Sequence, residues 1–355
     1  MQLAISIKDN RYSIILAGLS ICLVLSTLFS LSVGAVSIPM QDVAVILLRK
    51  LGLFSSLQVE DMHEVVLYSI RLPRIFMTLL IGASLGVSGA SLQGLFRNPL
   101  VEPGLIGVSG GSASAVVLII VFGGYLSIPS VGIIHDFILA IAAFLGGLAA
   151  TFFVLKLSNQ RGKTNIAVLI LIGVATNAMA GAIIGLAIFY ADENQLRTFT
   201  FWTLGDLGGA SWEKLTIAAP VLLLSCGMLL GFSKSLNVLA LGEAEAFHLG
   251  VDTEQTKRNI ILLCALSVGV SVSMAGMIGF IGLVVPHVIR VSFFPDNKLV
   301  LPASIICGAL LLVLSDVIAR TIVSPAELPI GVVTALIGAP FFIVLLMNAH
   351  RKNEL

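Results

Sequence analysis

Charge is what this sequence has least of. Asp, Glu, Lys and Arg make up 11% of its 355 residues, where a globular domain carries about 25%. The net charge of +1 offers neither a basic stripe for nucleic acid nor an acidic face for a basic partner. Cysteine is nearly as scarce. Cys22, Cys226, Cys264 and Cys307 stand singly in apolar runs, without paired or metal-ligand spacing, so they read as packing groups. A nucleotide loop is missing as well. A Walker A motif requires G-x-x-x-x-G-K-[ST], and the GK[ST] triplet at Gly162-Lys163-Thr164 has Leu157 where the first glycine belongs. Any ATP must therefore be handled by another subunit, and the chain is not expected to be an enzyme.

What is abundant is apolar surface. Hydrophobic residues are 57% of the chain and the mean hydropathy is +1.06. Apolar runs recur near the roughly 20 residues that span a bilayer, which predicts an all-α polytopic membrane protein; a β-barrel would show short alternating strands instead. Turn residues and charges delimit ten spans, at 13–34, 72–94, 104–122, 137–156, 165–190, 215–233, 259–276, 278–291, 299–319 and 329–347. The eighth is short, and the break before it could belong to one interrupted helix. The first run exceeds the roughly 7–15 residues of a signal-peptide core, so it reads as a retained span.

Orientation follows the positive-inside rule. With both termini in the cytoplasm, the inner loops hold thirteen of the twenty lysines and arginines, Arg161, Arg351 and Lys352 among them. The outer loops hold Arg49, Lys50, Arg71, Arg74, Arg197, Lys214 and Arg320.

Several features interrupt the apolar pattern. "GASLQGLFRNP" (89–99) and "GMIGFIGLVVP" (276–286) both start with glycine and end with proline, a faint echo suggesting an inverted repeat. Gly82, Gly86, Ala90 and Gly94 recur every four residues in the second span, as do Gly173, Asn177, Gly181 and Gly185 in the fifth. Residues so spaced share one helix face. Each stripe is either a tight packing seam or the wall of a pathway, with Asn177 its polar group. Residues 97–114 hold two prolines and four glycines, and irregular backbone at membrane depth must be buried in protein or face a water-filled cavity.

Charge itself is clustered. "RLPR" sets Arg71 and Arg74 at the outer mouth of the second span, and Arg320 ends the ninth. They are interfacial anchors that snorkel to the headgroups, with Asp316 a helical partner for Arg320, or else a basic rim that receives carboxylates from a soluble partner. The other cluster is "LALGEAEAFHLGVDTEQTKR" (239–258), a polar island between two apolar runs. A short helix should follow Gly242 and stop at Gly250. Its Phe247 and Leu249 are too few to insert in a membrane and more than a solvated loop needs, which suits a knob for a partner's groove.

Several of these stretches together resemble one family. "RLPR", "GASLQGLFRNPLVEPGLIGVSGG", "FWTLGDLGGASW", "LGEAEAFHLGVD", "GMIGFIGLVVPHVIR" and "AELPIGVVTALIGAPFF" are similar to the FecCD family, the membrane permeases of ABC importers for iron chelates, heme and cobalamin. The resemblance implies a single transmembrane permease domain over residues 1–355. It implies a homodimer in the lipid bilayer around one central pathway, two cytoplasmic ABC ATPases that carry ATP and Mg, and a periplasmic substrate-binding protein. The location so implied is a bacterial inner membrane, with no cofactor, metal or nucleic acid bound by this chain. Glu243, Glu245, Ala246, His248, Leu249 and Gly250 match the family's ATPase-coupling segment. Arg71, Arg74 and Arg320 match the arginines that receive binding-protein glutamates. The fifth and tenth spans match pathway helices, bringing in Asn177 and Gly181, and Thr164 and Asn165 fall near the cytoplasmic gate. His287 is more simply a structural histidine than a heme ligand. Among substrates the wording of "EPGLIGVSGG" (102–111) with "FWTLGDLGGASW" (201–212) resembles heme permeases most, followed by those for ferric siderophores and cobalamin. An ion-coupled secondary transporter is the rival class, but it needs ionisable groups near the bilayer midplane, and the mid-span stretches carry none.

Overall fold

A computed structural model describes residues 2–50, 59–125, 133–160 and 162–351. Of the charges used to orient the chain, Arg161 and Lys352 lie outside these residues. The chain begins with α1 (Gln2–Ser32), α2 (Met40–Lys50) and α3 (Asp61–Val65), whose last turn widens into a π-turn (Val66–Arg71) and continues as α4 (Leu72–Phe96). A 3₁₀ turn (Pro103–Ile106) leads into α5 (Val108–Phe122), then α6 (Ile133–Ser158) and a tight hairpin, β1 (Asn159–Gln160) with β2 (Lys163–Thr164). Next come α7 (Ile166–Phe189), α8 (Glu193–Leu204), α9 (Trp212–Gly231), α10 (Ser233–Leu239) and α11 (Glu243–His248). The chain closes with α12 (Thr253–Ala275), α13 (Ile281–Ser292), α14 (Asn297–Thr321) and α15 (Ile330–Arg351).

Among the described residues, eight helical stretches are long and apolar enough to cross a membrane, and Ile281–Ser292 and Ile330–Val344 are shorter apolar helices. These match the ten expected spans in order. Helix starts are set locally. Asn165 accepts from Val168 N–H at 3.2 Å, Asp252 from Gln255 N–H at 3.0 Å, and Asp192 forms a reciprocal capping box with Gln195, each satisfying a helix-start donor that lacks an intrahelical partner.

The innermost helices are the one ending in α4 and α12, with 83% and 72% of their spanning windows buried, whereas α1 has 11% and lies at the periphery. The glycine stripe of the second span explains that depth. A Cβ on Gly82 would fall on the Gly308 carbonyl, and one on Gly86 on the Ser304 carbonyl, so α4 and α14 pack backbone to backbone, antiparallel. Of the two readings of this stripe, the packing seam is what forms.

The echo between 89–99 and 276–286 does not extend to local conformation. Residues 89–96 continue α4, whereas 276–280 form no helix and α13 starts only at Ile281. The two segments touch: a Cβ on Gly89 would land on the Gly282 carbonyl. The backbone reverses in this break through left-handed conformations at Gly276 (φ 70°) and Phe280 (φ 67°), which separates α12 from α13.

These contacts yield a graded expectation. Gly89→Ala must push α4 from α13 and is expected to cost about 1–3 kcal/mol, as overpacking does. Gly227→Ala on α9, where nothing lies within 4 Å of the added methyl, should be neutral or slightly stabilising, because alanine is the better helix former. Thermal unfolding in detergent, read for both variants, checks the difference.

Candidate functional site

The polar side chains gather at two ends of the bundle. α4 and α14 fix the separation. Arg74 at the start of α4 meets Asp316 near the end of α14, while Gly94 at the other end of α4 lies against Asn297 and Arg290. The 25 residues of α4 span about 37 Å at 1.5 Å per residue.

At the first end the three expected arginines do converge, but as a buried frame rather than a free rim. Arg71, Arg74 and Arg320 are 3%, 5% and 5% exposed. Arg74 donates through Nε to Asp316 Oδ1 at 2.9 Å and through Nη1 to Glu327 Oε2 at 2.8 Å. Arg320 Nε pairs with Asp316 Oδ2 at 2.9 Å, and its Nη2 donates to Ser30 Oγ at 2.7 Å. Arg71 donates to the carbonyls of Leu31 and Val36. The expectation of a basic rim is corrected on this point, for a physical reason: sequence-distant carboxylates and the α1–α2 connection supply acceptors, and a buried guanidinium needs them. Glu327, with a side chain 42% exposed, is the accessible member of the cluster.

At the opposite end stands the island. α11 forms where expected, and its stop is a Schellman motif. Val251 N–H bonds the Ala246 carbonyl and Gly250 N–H the Phe247 carbonyl, both at 3.0 Å, with Gly250 at φ 82°. Glu243, Glu245, His248, Leu249 and Gly250 are exposed. Ala246 is not: at 0% exposure it packs into the main core, so as a surface contact it is corrected to an anchor. Leu241, Phe247 and Leu249 are 67%, 70% and 62% exposed. They give α11 an apolar outer face that the neighbouring glutamates surround.

Beside α11 lies a polar cavity of about 410 Å³ lined by residues 163–167, Glu243, Glu254 and Lys257. Thr164 is buried and Asn165 exposed. Sequence reasoning counted Lys257 only as one inner positive charge. Its position three residues after Glu254, which starts a polar first turn of α12, was the available signal.

Between the ends, the stripe of the fifth span divides. A Cβ on Gly173 would strike the Leu105 carbonyl, and Asn177 Nδ2 donates to the Gly104 carbonyl at 3.0 Å. This half of α7 holds the irregular 103–106 turn in place, satisfying backbone that lipid could not. Gly181 and Gly185 have nothing within 4 Å and are exposed, so that half is a smooth open face. Glu102 escaped the sequence reading. It lines a cavity of about 210 Å³ where the 103–106 turn meets the 276–280 break, with Ser109, Met277 and Phe280. His287 is partly buried, and its Nδ1 has no hydrogen-bond partner among the described residues. No group of three or more His, Cys, Asp or Glu suited to a metal occurs among them.

A multi-span helical protein with irregular backbone packed inside the bundle, a smooth open face, and an exposed apolar knob at one end has the build of a membrane permease. Comparison with known proteins specifies the type. Residues 22–348 match the FecCD transport family, and the chain belongs to that family. It is 42% identical to the hemin transport system permease protein HmuU of Yersinia pestis over 81% of this chain and 84% of that protein. With the vitamin B12 import system permease protein BtuC of Vibrio parahaemolyticus it shares 38% identity, over 97% and 96% of the two chains. A solved structure of an inward-facing transporter, assigned to the metal-chelate type of ABC transporter, superposes with a TM-score of 0.80 at 35% identity, covering 94% of this chain and 99% of the other. The chain is thus a permease of the ABC importer type, and permeases of this family work with a separate ABC ATPase and a substrate-binding protein.

Proposed function

We propose that this permease imports an iron-containing chelate, heme foremost, as a homodimer driven by two cytoplasmic ATPases. The observation that carries the mechanism is the pairing of opposite ends: a buried, ion-paired arginine cluster at one and an exposed apolar knob at the other, joined by rigid helices. The arginine end faces the periplasm and both termini the cytoplasm, as the distribution of positive charge favours. A loaded binding protein presents carboxylates to the cluster. The half-exposed Glu327 is the group that an incoming carboxylate can displace from Arg74, so docking can exchange one ion pair for another without stranding a guanidinium. The open Gly181–Gly185 face of α7 lines the pathway, and Thr164 and Asn165 stand at its cytoplasmic gate. ATP-driven closure of the ATPases moves α11, and packed helices carry that shift to the gate. Nothing in this sequence performs covalent chemistry.

The heme assignment is supported by the 42% identity with the hemin permease and by the wording of 102–111 and 201–212. The test is uptake into proteoliposomes holding the permease, its ATPase and its binding protein. Hemin is expected to accumulate with ATP and to fall to background with a hydrolysis-dead ATPase. Transport that persists with the dead ATPase overturns the mechanism. Cyanocobalamin or a ferric siderophore accumulating tenfold faster than hemin overturns the substrate.

A further inference from the structure

Lys257 is one of the largest side chains sealed inside the described residues, 2% exposed, although it lies in the polar opening of α12. Its ammonium has three N–H groups and meets three acceptors: Glu243 Oε2 at 2.7 Å, Glu254 Oε1 at 2.9 Å and the Thr164 carbonyl at 3.2 Å. These acceptors come from three separate parts of the chain: the first residue of α11, the first turn of α12, and the end of β2. Glu254 uses its second oxygen to accept from Thr164 N–H at 2.7 Å. Both backbone groups of Thr164 are thereby held by side chains of α12, and Asn165, which caps α7, follows directly.

We propose that Lys257 is the positioning residue that carries movement of α11 to the turn at Thr164, and through it to the first turn of α7. The inference rests on α11 being the ATPase contact. An ammonium this deeply buried is heavily penalised when it loses a partner, so a displacement of Glu243 is followed by Lys257, and that of Lys257 by Thr164. The Schellman turn at Gly250 and the Asp252 cap stiffen the connection from α11 to α12. The base of α12 therefore moves with α11 as one body, and the Thr164 contacts pass the motion to a segment that is otherwise distant in sequence. The adjoining cavity of about 410 Å³ leaves that segment room to shift. The outermost link is the pair with Glu243, whose side chain is 48% exposed against 30% for Glu254.

The test uses the full assembly in proteoliposomes. Lys257→Met and Glu243→Gln are compared with wild type for substrate moved per ATP hydrolysed, using whichever of hemin, ferrichrome or cyanocobalamin the wild type transports. Lys257→Met is expected to lower that ratio at least tenfold, with ATP hydrolysis within about twofold of wild type, and Glu243→Gln to lower it about threefold. A second readout is maleimide labelling of Lys163→Cys, in a Cys22→Ser background. Its rate should differ between nucleotide-free and vanadate-trapped complexes in wild type, and become nucleotide-independent with Lys257→Met. A wild-type ratio, or labelling that still responds to nucleotide, overturns the proposal. Should Lys257→Met fail to assemble, Glu243→Gln decides by the same two readouts. Failure of the underlying reading shows differently, as a Phe247→Asp permease that still co-purifies with its ATPase.

Discussion

Asp316→Ala is expected to destabilise the permease by about 3–5 kcal/mol, the range found when one partner of a buried ion pair is removed. Asp316 is 1% exposed and stands between two buried guanidiniums, Arg74 Nε and Arg320 Nε, each at 2.9 Å. Without it, two buried cations sit at close quarters, and the α4–α14 seam ends on an Arg320 that has lost its carboxylate. Arg74 retains Glu327, but Arg320 keeps only Ser30 and the Val33 carbonyl. Glu327→Gln is the internal comparison. Its side chain is 42% exposed, so its loss should cost at most about 1 kcal/mol, as exposed pairs do. Thermal unfolding of both variants in the same detergent measures the contrast. Equal losses would show that Asp316 is no better shielded from water than Glu327.

Phe247→Asp should weaken the hold on the ATPase by about 2 kcal/mol or more, near 30-fold in affinity, the effect of removing an interface hot spot. The fold makes this a specific expectation. Ala246 at 0% exposure anchors α11 to the core, and the turn at Gly250 fixes its end, so Phe247 is held outward at 70% exposure with Leu249 and Leu241 beside it. An aromatic ring kept in water by a rigid anchor is a surface prepared for a partner's groove. Because the ring touches little of its own chain, thermal stability should stay within about 0.5 kcal/mol of wild type, as for ordinary surface substitutions. Co-purification with the ATPase and a detergent titration of affinity read the effect. A bulky residue at Ala246 is a different experiment, since it overpacks the core beneath the knob and shows a folding defect before it shows uncoupling.

Much of the fold was legible because its signals are local. The helical span from Ile166 to Phe189 follows from an apolar run and its Asn165 cap, and the stop of α11 from one glycine. The π-turn at Val66–Arg71 was not legible, since nothing in "VLYSIR" marks a widened turn, and neither α2 nor α8 was counted because neither spans. At the sites, residue identities were legible but side-chain directions were not. Arg71, Arg74 and Arg320 look in sequence like surface anchors, and only the approach of α14 to α4 reveals that Asp316 draws two of them inward. Ala246 sits among exposed neighbours in a polar stretch, and its inward face is a matter of how α11 lies on the core.

The sequence by itself determined that this chain is a multi-span helical membrane protein, the order of its apolar helices, and several of the caps that start them. Those properties are sums over about 20 consecutive residues or single caps, and they need no distant partner. The tertiary structure alone decided which stripe packs and which stays open. Gly82, Gly86 and Gly89 of α4 meet backbone carbonyls of α14 and α13, whereas Gly181 and Gly185 on α7 meet nothing. It also decided which charges are structural. Arg74 finds Asp316 across 242 residues, and Lys257 finds Thr164 across 93. A buried charge takes its role from the groups that satisfy it, and those groups are brought to it only by the packing of helices far apart in the chain.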